Sequence, residues 1–139
     1  MIKNSWPFHL KKEISSVANV LKSKKTNYWV GDICKNFEVK FCNYIDVKYG
    51  ITVANGSLAL DAAIECLNLD YGDEVIVTPR SYMSSASCIV RAGCVAKFVD
   101  VELNSQNINA QEILKSINKK TKAIICVHLA GFPCDMRSI

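Results

Sequence analysis

The sequence predicts an α/β fold of three layers, a mostly parallel sheet with helices on both faces. Three observations carry this reading. From residue 49 onward, short apolar runs alternate with segments of helical periodicity. The runs Val75-Ile76-Val77 and Ala123-Ile124-Ile125-Cys126-Val127 are continuously apolar, as strands covered on both faces require. Turn-forming residues separate the segments, among them Tyr71-Gly72-Asp73 and Ala92-Gly93.

Taken in order, Leu10, Ile14, Val17 and Leu21 recur at i, i+4, i+7 and i+11, which predicts an amphipathic helix over 9–23. A polar stretch follows, Thr26-Asn27-Tyr28-Trp29-Val30-Gly31-Asp32. Trp29 there is read as a lid on the core in preference to a ligand or subunit contact. Cys34, Phe37, Phe41 and Tyr44 form a second helical stripe. Residues 1–48 are therefore read as an N-terminal helical segment, and 49–139 as an α/β domain that is incomplete at its C-terminal end.

Within that domain the patterning predicts strands over 50–54, 74–78, 95–100 and 122–127, and helices over 57–68, 83–92 and 110–117. Ser57 is the expected cap of the first of these helices, and Asn109 with Glu112 forms a capping-box-like start for the last. No repeat of 20 to 50 residues interrupts the alternation.

Composition narrows the function classes. At 139 residues and 50% hydrophobic, the chain is at most one ordinary domain with enough apolar material for a core. A net charge of +4 is spread over scattered lysines without interleaved aromatics, which argues against nucleic acid; Lys24-Lys25 is the best candidate for an anionic contact. Seven cysteines without a C-x-x-C argue against a disulfide scaffold and against a metal site, and suit a reducing compartment. Met1 to Pro7 holds no apolar leader, and no run reaches the ~18 apolar residues of a membrane span. A cytoplasmic protein is the expectation.

In a parallel sheet the loops that follow the strands emerge at one edge, where ligands of open α/β sheets bind. Asn55-Gly56-Ser57, then Thr78-Pro79-Arg80-Ser81-Tyr82, and His128 would share that rim. Helix-initial N–H groups near Ser57 suit a phosphate, and Tyr82 suits a ring face, so the rim fits a small phosphorylated aromatic ligand. Singly, Tyr82 also fits a core or capping position, and His128 a hydrogen-bonded structural histidine.

Asn55-Gly56-Ser57-Leu58-Ala59-Leu60, Gly72-Asp73-Glu74-Val75-Ile76-Val77-Thr78-Pro79-Arg80-Ser81-Tyr82, Phe98-Val99-Asp100-Val101 and Val127-His128-Leu129-Ala130-Gly131 together resemble the N-terminal half of the DegT/StrS-type sugar aminotransferases. Trp6-Pro7 and Asn27-Tyr28-Trp29-Val30-Gly31 resemble members that act in surface-polysaccharide sugar synthesis, lipopolysaccharide included. The resemblance implies the aspartate-aminotransferase fold, a homodimer, and pyridoxal 5'-phosphate as cofactor. It implies transfer of an amino group from glutamate to a keto sugar nucleotide. By position, Gly56, Ser57 and Leu58 would hold the cofactor phosphate and Tyr82 would stack on its ring, with Asn55, Arg80 and His128 on the site's rim. The family often has Thr where this chain has Ser57, and an aromatic residue where it has Arg80.

The Schiff-base Lys and the Asp that pairs with the pyridinium nitrogen lie, in the family, beyond the position of Ile139. No lysine here sits in that context, so no catalytic residue is assigned. Asp135 resembles a helix cap with Met136 and Ile139 opening an apolar face, and the chain is read as a fragment of a protein two to three times longer, a length that the resemblance implies, inactive alone. The alternative is a non-enzymatic split-gene product that binds a phosphorylated ligand or a complementing partner chain. An unrelated nucleotide-binding domain is disfavoured because neither G-x-G-x-x-G nor G-x-x-x-x-G-K-[ST] occurs.

Overall fold

The computed structural model describes residues 6–139, and the chain divides into two compact units, Met1–Thr52 and Val53–Ile139. Of the N-terminal stretch Met1 to Pro7, residues 1–5 lie outside the described residues, and with them most of the stretch read for a leader.

The first unit holds α1 (Lys11–Ser23) and α2 (Ile33–Ile45). At the start of α1 the Glu13 carboxylate accepts the Leu10 N–H at 2.7 Å, satisfying a donor that the helix itself cannot. Both helices end on a left-handed residue, Lys24 (φ 60°) and Asp46 (φ 55°), which turns the chain away after the last carbonyls are used. Trp29 is not a lid: the residue is 86% exposed, and its ring meets Tyr28 edge-on, with ring centroids 6.0 Å apart.

The strand expected over 50–54 does not form. Its amide is diverted: Thr52 donates both its N–H (2.7 Å) and its hydroxyl (2.9 Å) to Oε1 of Glu38 on α2. Tyr28 donates its phenol to the other oxygen of the same carboxylate at 3.2 Å. A side chain thus takes the donor that a sheet ladder would need, and an apolar run alone cannot report that competition.

The second unit contains α3 (Gly56–Glu65), β1 (Glu74–Val77), α4 (Ser84–Arg91), β2 (Val95–Phe98), α5 (Ala110–Ser116), β3 (Thr121–Ile125) and a 3-10 turn over Leu129–Gly131. All three strands are parallel, in the order β2-β1-β3. Register runs Glu74 to Val95 and Val77 to Phe98 on one side of β1, and Val75 to Ala123 and Val77 to Ile125 on the other.

Alternation along β1 separates two cores. Val75 and Val77 pack with Ile64 of α3 and with Cys88 and Ile89 of α4. Ile76 points the other way, toward Ile113 of α5 with Val99, Ile108 and Cys134. Helices therefore cover both faces of the sheet, and the three-layer parallel expectation holds for this unit. Full burial of three successive residues is why β1 reads as an unbroken apolar run.

Two local expectations shift. The helix predicted over 57–68 is Gly56–Glu65, and its cap is Asn55 rather than Ser57: the Asn55 side chain accepts the Leu58 N–H at 3.1 Å. Asn109 caps α5 as expected, accepting from the N–H groups of Gln111 and Glu112, but the Glu112 carboxylate turns to Lys115 at 2.7 Å and does not close the box. Asp135 caps a turn, with its carboxylate accepting from the N–H and hydroxyl of Ser138.

Candidate functional site

The strand order sets the place of the site. The connection from β1 through α4 leads to β2, and the connection from β2 through α5 crosses back to the other side of β1, so the winding reverses beside β1. A cleft of about 820 Å³ opens there. Arg80, Tyr82 and Ser85 line it from the connection after β1, Gln106 from the connection after β2, and His128 and Ala130 from the segment after β3. Three of the expected rim residues, Arg80, Tyr82 and His128, are thus brought together.

Asn55, Gly56, Ser57 and Leu58 do not line this cleft; they reach its neighbourhood through one hydrogen bond. The Ser57 and Ser84 hydroxyls lie 2.5 Å apart, joining the first turn of α3 to the first residue of α4. Ser85, next in sequence, lines the cleft and pairs with the Ser81 hydroxyl at 2.6 Å. Ser57 and Tyr82 consequently occupy the same end of the sheet. Two helix N-termini meet there, and both direct the positive ends of their dipoles to one place.

The cradle is open to a ligand. The first ladder bond of α3 runs from the Ala59 N–H to the Asn55 carbonyl at 3.2 Å, so the N–H groups of Gly56 and Ser57 precede the ladder. The Leu58 N–H is already committed to Asn55. A methyl group at Gly56 would meet no atom within 4 Å, so the backbone there faces free space. Tyr82 is 77% exposed, which leaves its ring face available to an aromatic group.

On the opposite wall, His128 Nδ1 accepts the Cys134 N–H at 3.0 Å, so the neutral ring carries its proton on Nε2. The Cys134 thiol donates to the Val127 carbonyl at 3.2 Å. Sequence reasoning missed Asn107, which is 2% exposed and spans the turn after His128. Its Nδ2 donates to the Phe132 carbonyl at 3.0 Å and its Oδ1 accepts the Leu129 N–H at 3.1 Å. An asparagine in a polar stretch carries no local signal of burial, because its partners are 22 and 25 residues away.

Among the described residues no cluster of three or more His, Cys, Asp or Glu is arranged to hold a metal, and no helix is long and apolar enough to cross a membrane.

A doubly wound parallel sheet with paired helix N-termini beside a cleft at its strand ends defines a class, the α/β proteins that bind ligands at the carboxyl ends of their strands. The particular family follows from direct comparison: residues 8–139 match the DegT/DnrJ/EryC1/StrS aminotransferase family, and the chain belongs to it. The aminotransferase from Psychrobacter cryohalolentis is 44% identical and superposes with a TM-score of 0.93 over 97% of this chain and 34% of its own length. GDP-perosamine synthase of Escherichia coli O157:H7 is 41% identical over 109 residues, 78% of this chain and 30% of the relative. The GDP-4-keto-6-deoxy-D-mannose-3-dehydratase of E. coli, solved with bound hydrated PLP, is 28% identical with a TM-score of 0.85, over 98% of this chain and 35% of its own. The chain spans about a third of the length of these relatives.

Proposed function

We propose that this chain is the cofactor-phosphate-holding part of a pyridoxal-phosphate-dependent aminotransferase that moves an amino group from glutamate to a keto sugar nucleotide in the cytoplasm, for surface polysaccharide such as lipopolysaccharide. In this reading residues 49–139 are the cofactor-binding domain, 1–48 a helical segment, and the working enzyme a homodimer. The observation that carries the reading is the Ser57–Ser84 hydroxyl pair, which sets two helix N-termini beside the cleft.

The residues fit a phosphorylated pyridine. The Gly56 and Ser57 N–H groups precede the helix ladder and would grip a phosphate, and the Ser57 hydroxyl, paired with Ser84, would turn a lone pair or its proton to the same ligand, while Leu58 contributes through the helix it extends. Tyr82 offers a ring face for stacking, and Arg80 and His128 supply a cation and an Nε2–H donor for oxygen atoms of ligand or substrate. Pyridoxal phosphate supplies an electron-withdrawing ring that stabilises negative charge on the carbon losing its proton. A putative sugar aminotransferase solved in its PLP-form and a 3-dehydratase solved with hydrated PLP both share this third, which supports a role in holding the cofactor over a role in choosing the reaction.

Among the described residues no lysine lines the cleft. In this reading the 139-residue chain alone binds the cofactor without transferring an amino group. The test is titration of the purified chain with pyridoxal 5'-phosphate, followed by tyrosine fluorescence. Saturable binding that inorganic phosphate displaces, and that pyridoxal without phosphate does not reproduce, is the expected result. Absence of binding, or equal binding of pyridoxal, sinks the reading.

A further inference from the structure

We propose that Asn107 is a positioning residue of the cleft: by bridging the Leu129 N–H and the Phe132 carbonyl, it holds the turn that presents His128 to a ligand as an Nε2–H donor. This rests on the cleft being the ligand site proposed above.

The turn after β3 cannot hold itself. Ala130 lies at φ 51° and Gly131 at φ 84°, two successive left-handed residues, and the first of these carries a Cβ that disfavours that region. Among the described residues two backbone bonds close the turn, Gly131 N–H to the His128 carbonyl (3.0 Å) and Phe132 N–H to the Leu129 carbonyl (2.9 Å). That leaves the Leu129 N–H and the Phe132 carbonyl facing inward, 3 residues apart in sequence, and one carboxamide satisfies both, at 3.1 and 3.0 Å. The Asn carboxamide can do so, since a single planar group offers an acceptor and a donor at once.

Asn107 is itself held. Its carbonyl accepts the Glu102 N–H at 2.9 Å and its N–H meets the Ser105 hydroxyl at 3.3 Å, while its side chain is buried. The neighbouring Gln106 lines the cleft beside His128. The ring's other constraint is the Cys134 N–H on Nδ1, which is reached only if the chain between 129 and 134 follows the observed path. Loss of the bridge would free that path, release Nδ1 and let both neutral tautomers of His128 coexist.

The experiment uses the 139-residue chain and Asn107→Ala, with Asn107→Asp as a second variant that keeps the acceptor for Leu129 and loses the donor to Phe132. Nitrogen NMR of the two histidine rings reads the tautomers, with His9 as the internal reference. The wild type is expected to show His128 with its proton on Nε2 alone, and the variants a mixture. Affinity for pyridoxal 5'-phosphate should fall about tenfold in Asn107→Ala, the effect of one misplaced hydrogen bond, with inorganic phosphate binding unchanged. In the wild type, the Leu129 amide should exchange with solvent as slowly as the amides of β1, a measurement that stands even where a variant does not fold. A lowered Tm with unaltered tautomer and affinity, or a Leu129 amide exchanging at loop rates, overturns the proposal. Should the wild type bind no pyridoxal phosphate, the cofactor reading fails, and the tautomer and exchange measurements still decide the role of Asn107.

Discussion

The hydroxyls of Ser57 and Ser84 lie 2.5 Å apart and tie the first turn of α3 to the start of α4 across 27 residues of sequence. Ser84 is buried and Ser57 half-buried, so the bond is partly shielded from water, and each hydroxyl depends on the other for its partner. Through this pair the amide cradle and the cleft become parts of one place.

Removing either hydroxyl should therefore do two things. Ser84→Ala leaves Ser57 without its partner and is expected to cost about 1 kcal/mol of stability. Ser57→Ala keeps the N–H groups but removes the hydroxyl proposed to hold phosphate, so its larger effect should be on phosphate affinity. Chemical denaturation and phosphate titration of the two variants separate these effects, and identical profiles would contradict the assignment of Ser57.

Gly56→Ala offers a cleaner separation of fold from binding. The added methyl meets nothing within 4 Å beyond its chain neighbours and its own helix turn, and the position is helical, so stability should hold or rise by up to about 1 kcal/mol. A ligand resting on that backbone would meet the methyl directly. A variant that is as stable as the wild type yet binds pyridoxal phosphate markedly more weakly is the expected outcome, and unchanged affinity would place the phosphate elsewhere.

Acid stability should depend on Glu74. Its carboxylate takes the Lys97 ammonium at 2.9 Å and the Asn118 amide at 2.8 Å, and these bonds, that to Lys97 first, hold its pKa below the usual glutamate range. A depressed folded pKa means that the contribution is complete above the ordinary glutamate value and disappears as pH falls through the folded one. Glu74→Gln should lower stability at neutral pH and change it little in strong acid, flattening the acid limb of a urea-unfolding series. A parallel downward offset at every pH would mean that the charge is not involved.

Thiol reactivity should follow burial. Cys34 and Cys66 are exposed, whereas Cys42, Cys88, Cys94 and Cys134 are buried. Burial also pushes the thiol pKa of Cys88, Cys94 and Cys126 upward, which lowers their thiolate fraction near neutrality. Mass spectrometry after brief alkylation of the native chain should find Cys34 and Cys66 modified first, with the buried thiols reacting only in denaturant. Early modification of Cys88 would contradict the packing of α4 on the sheet.

The core itself is sensitive at Ile76, fully buried on β1 between Val99, Ile108 and Ile113. Ile76→Ala should cost roughly 2–5 kcal/mol, a large part of a small domain's stability. Calorimetry on the variant checks this, and a loss under 1 kcal/mol would mean that this layer is not a packed core.

The elements legible in the sequence were those whose signal is local. Val75-Ile76-Val77 reads as a strand buried on both faces because it is one, and the helices at Lys11–Ser23 and Ala110–Ser116 follow from periodicity and, at Asn109, from a cap. The failures share a cause. Residues 50–54 have the apolar character of a strand, yet Glu38, 14 residues earlier, takes the Thr52 amide. Ser57 looks like a cap, but Asn55 fills that place and Ser57 turns to Ser84.

What the sequence determined by itself, then, was the alternation of strand and helix, the parallel sheet between two helical layers, and the presence of Arg80, Tyr82 and His128 in connections at one edge. Each of these depends on neighbours within a few residues, where periodicity and turn chemistry act. The tertiary structure alone decided that Ser57 meets Ser84, that Nε2 is the histidine nitrogen left for a ligand, and that Asn107 holds the turn beyond it. Hydrogen bonds between side chains far apart in sequence leave no pattern in the sequence, because their geometry exists only once the sheet has brought the connections together.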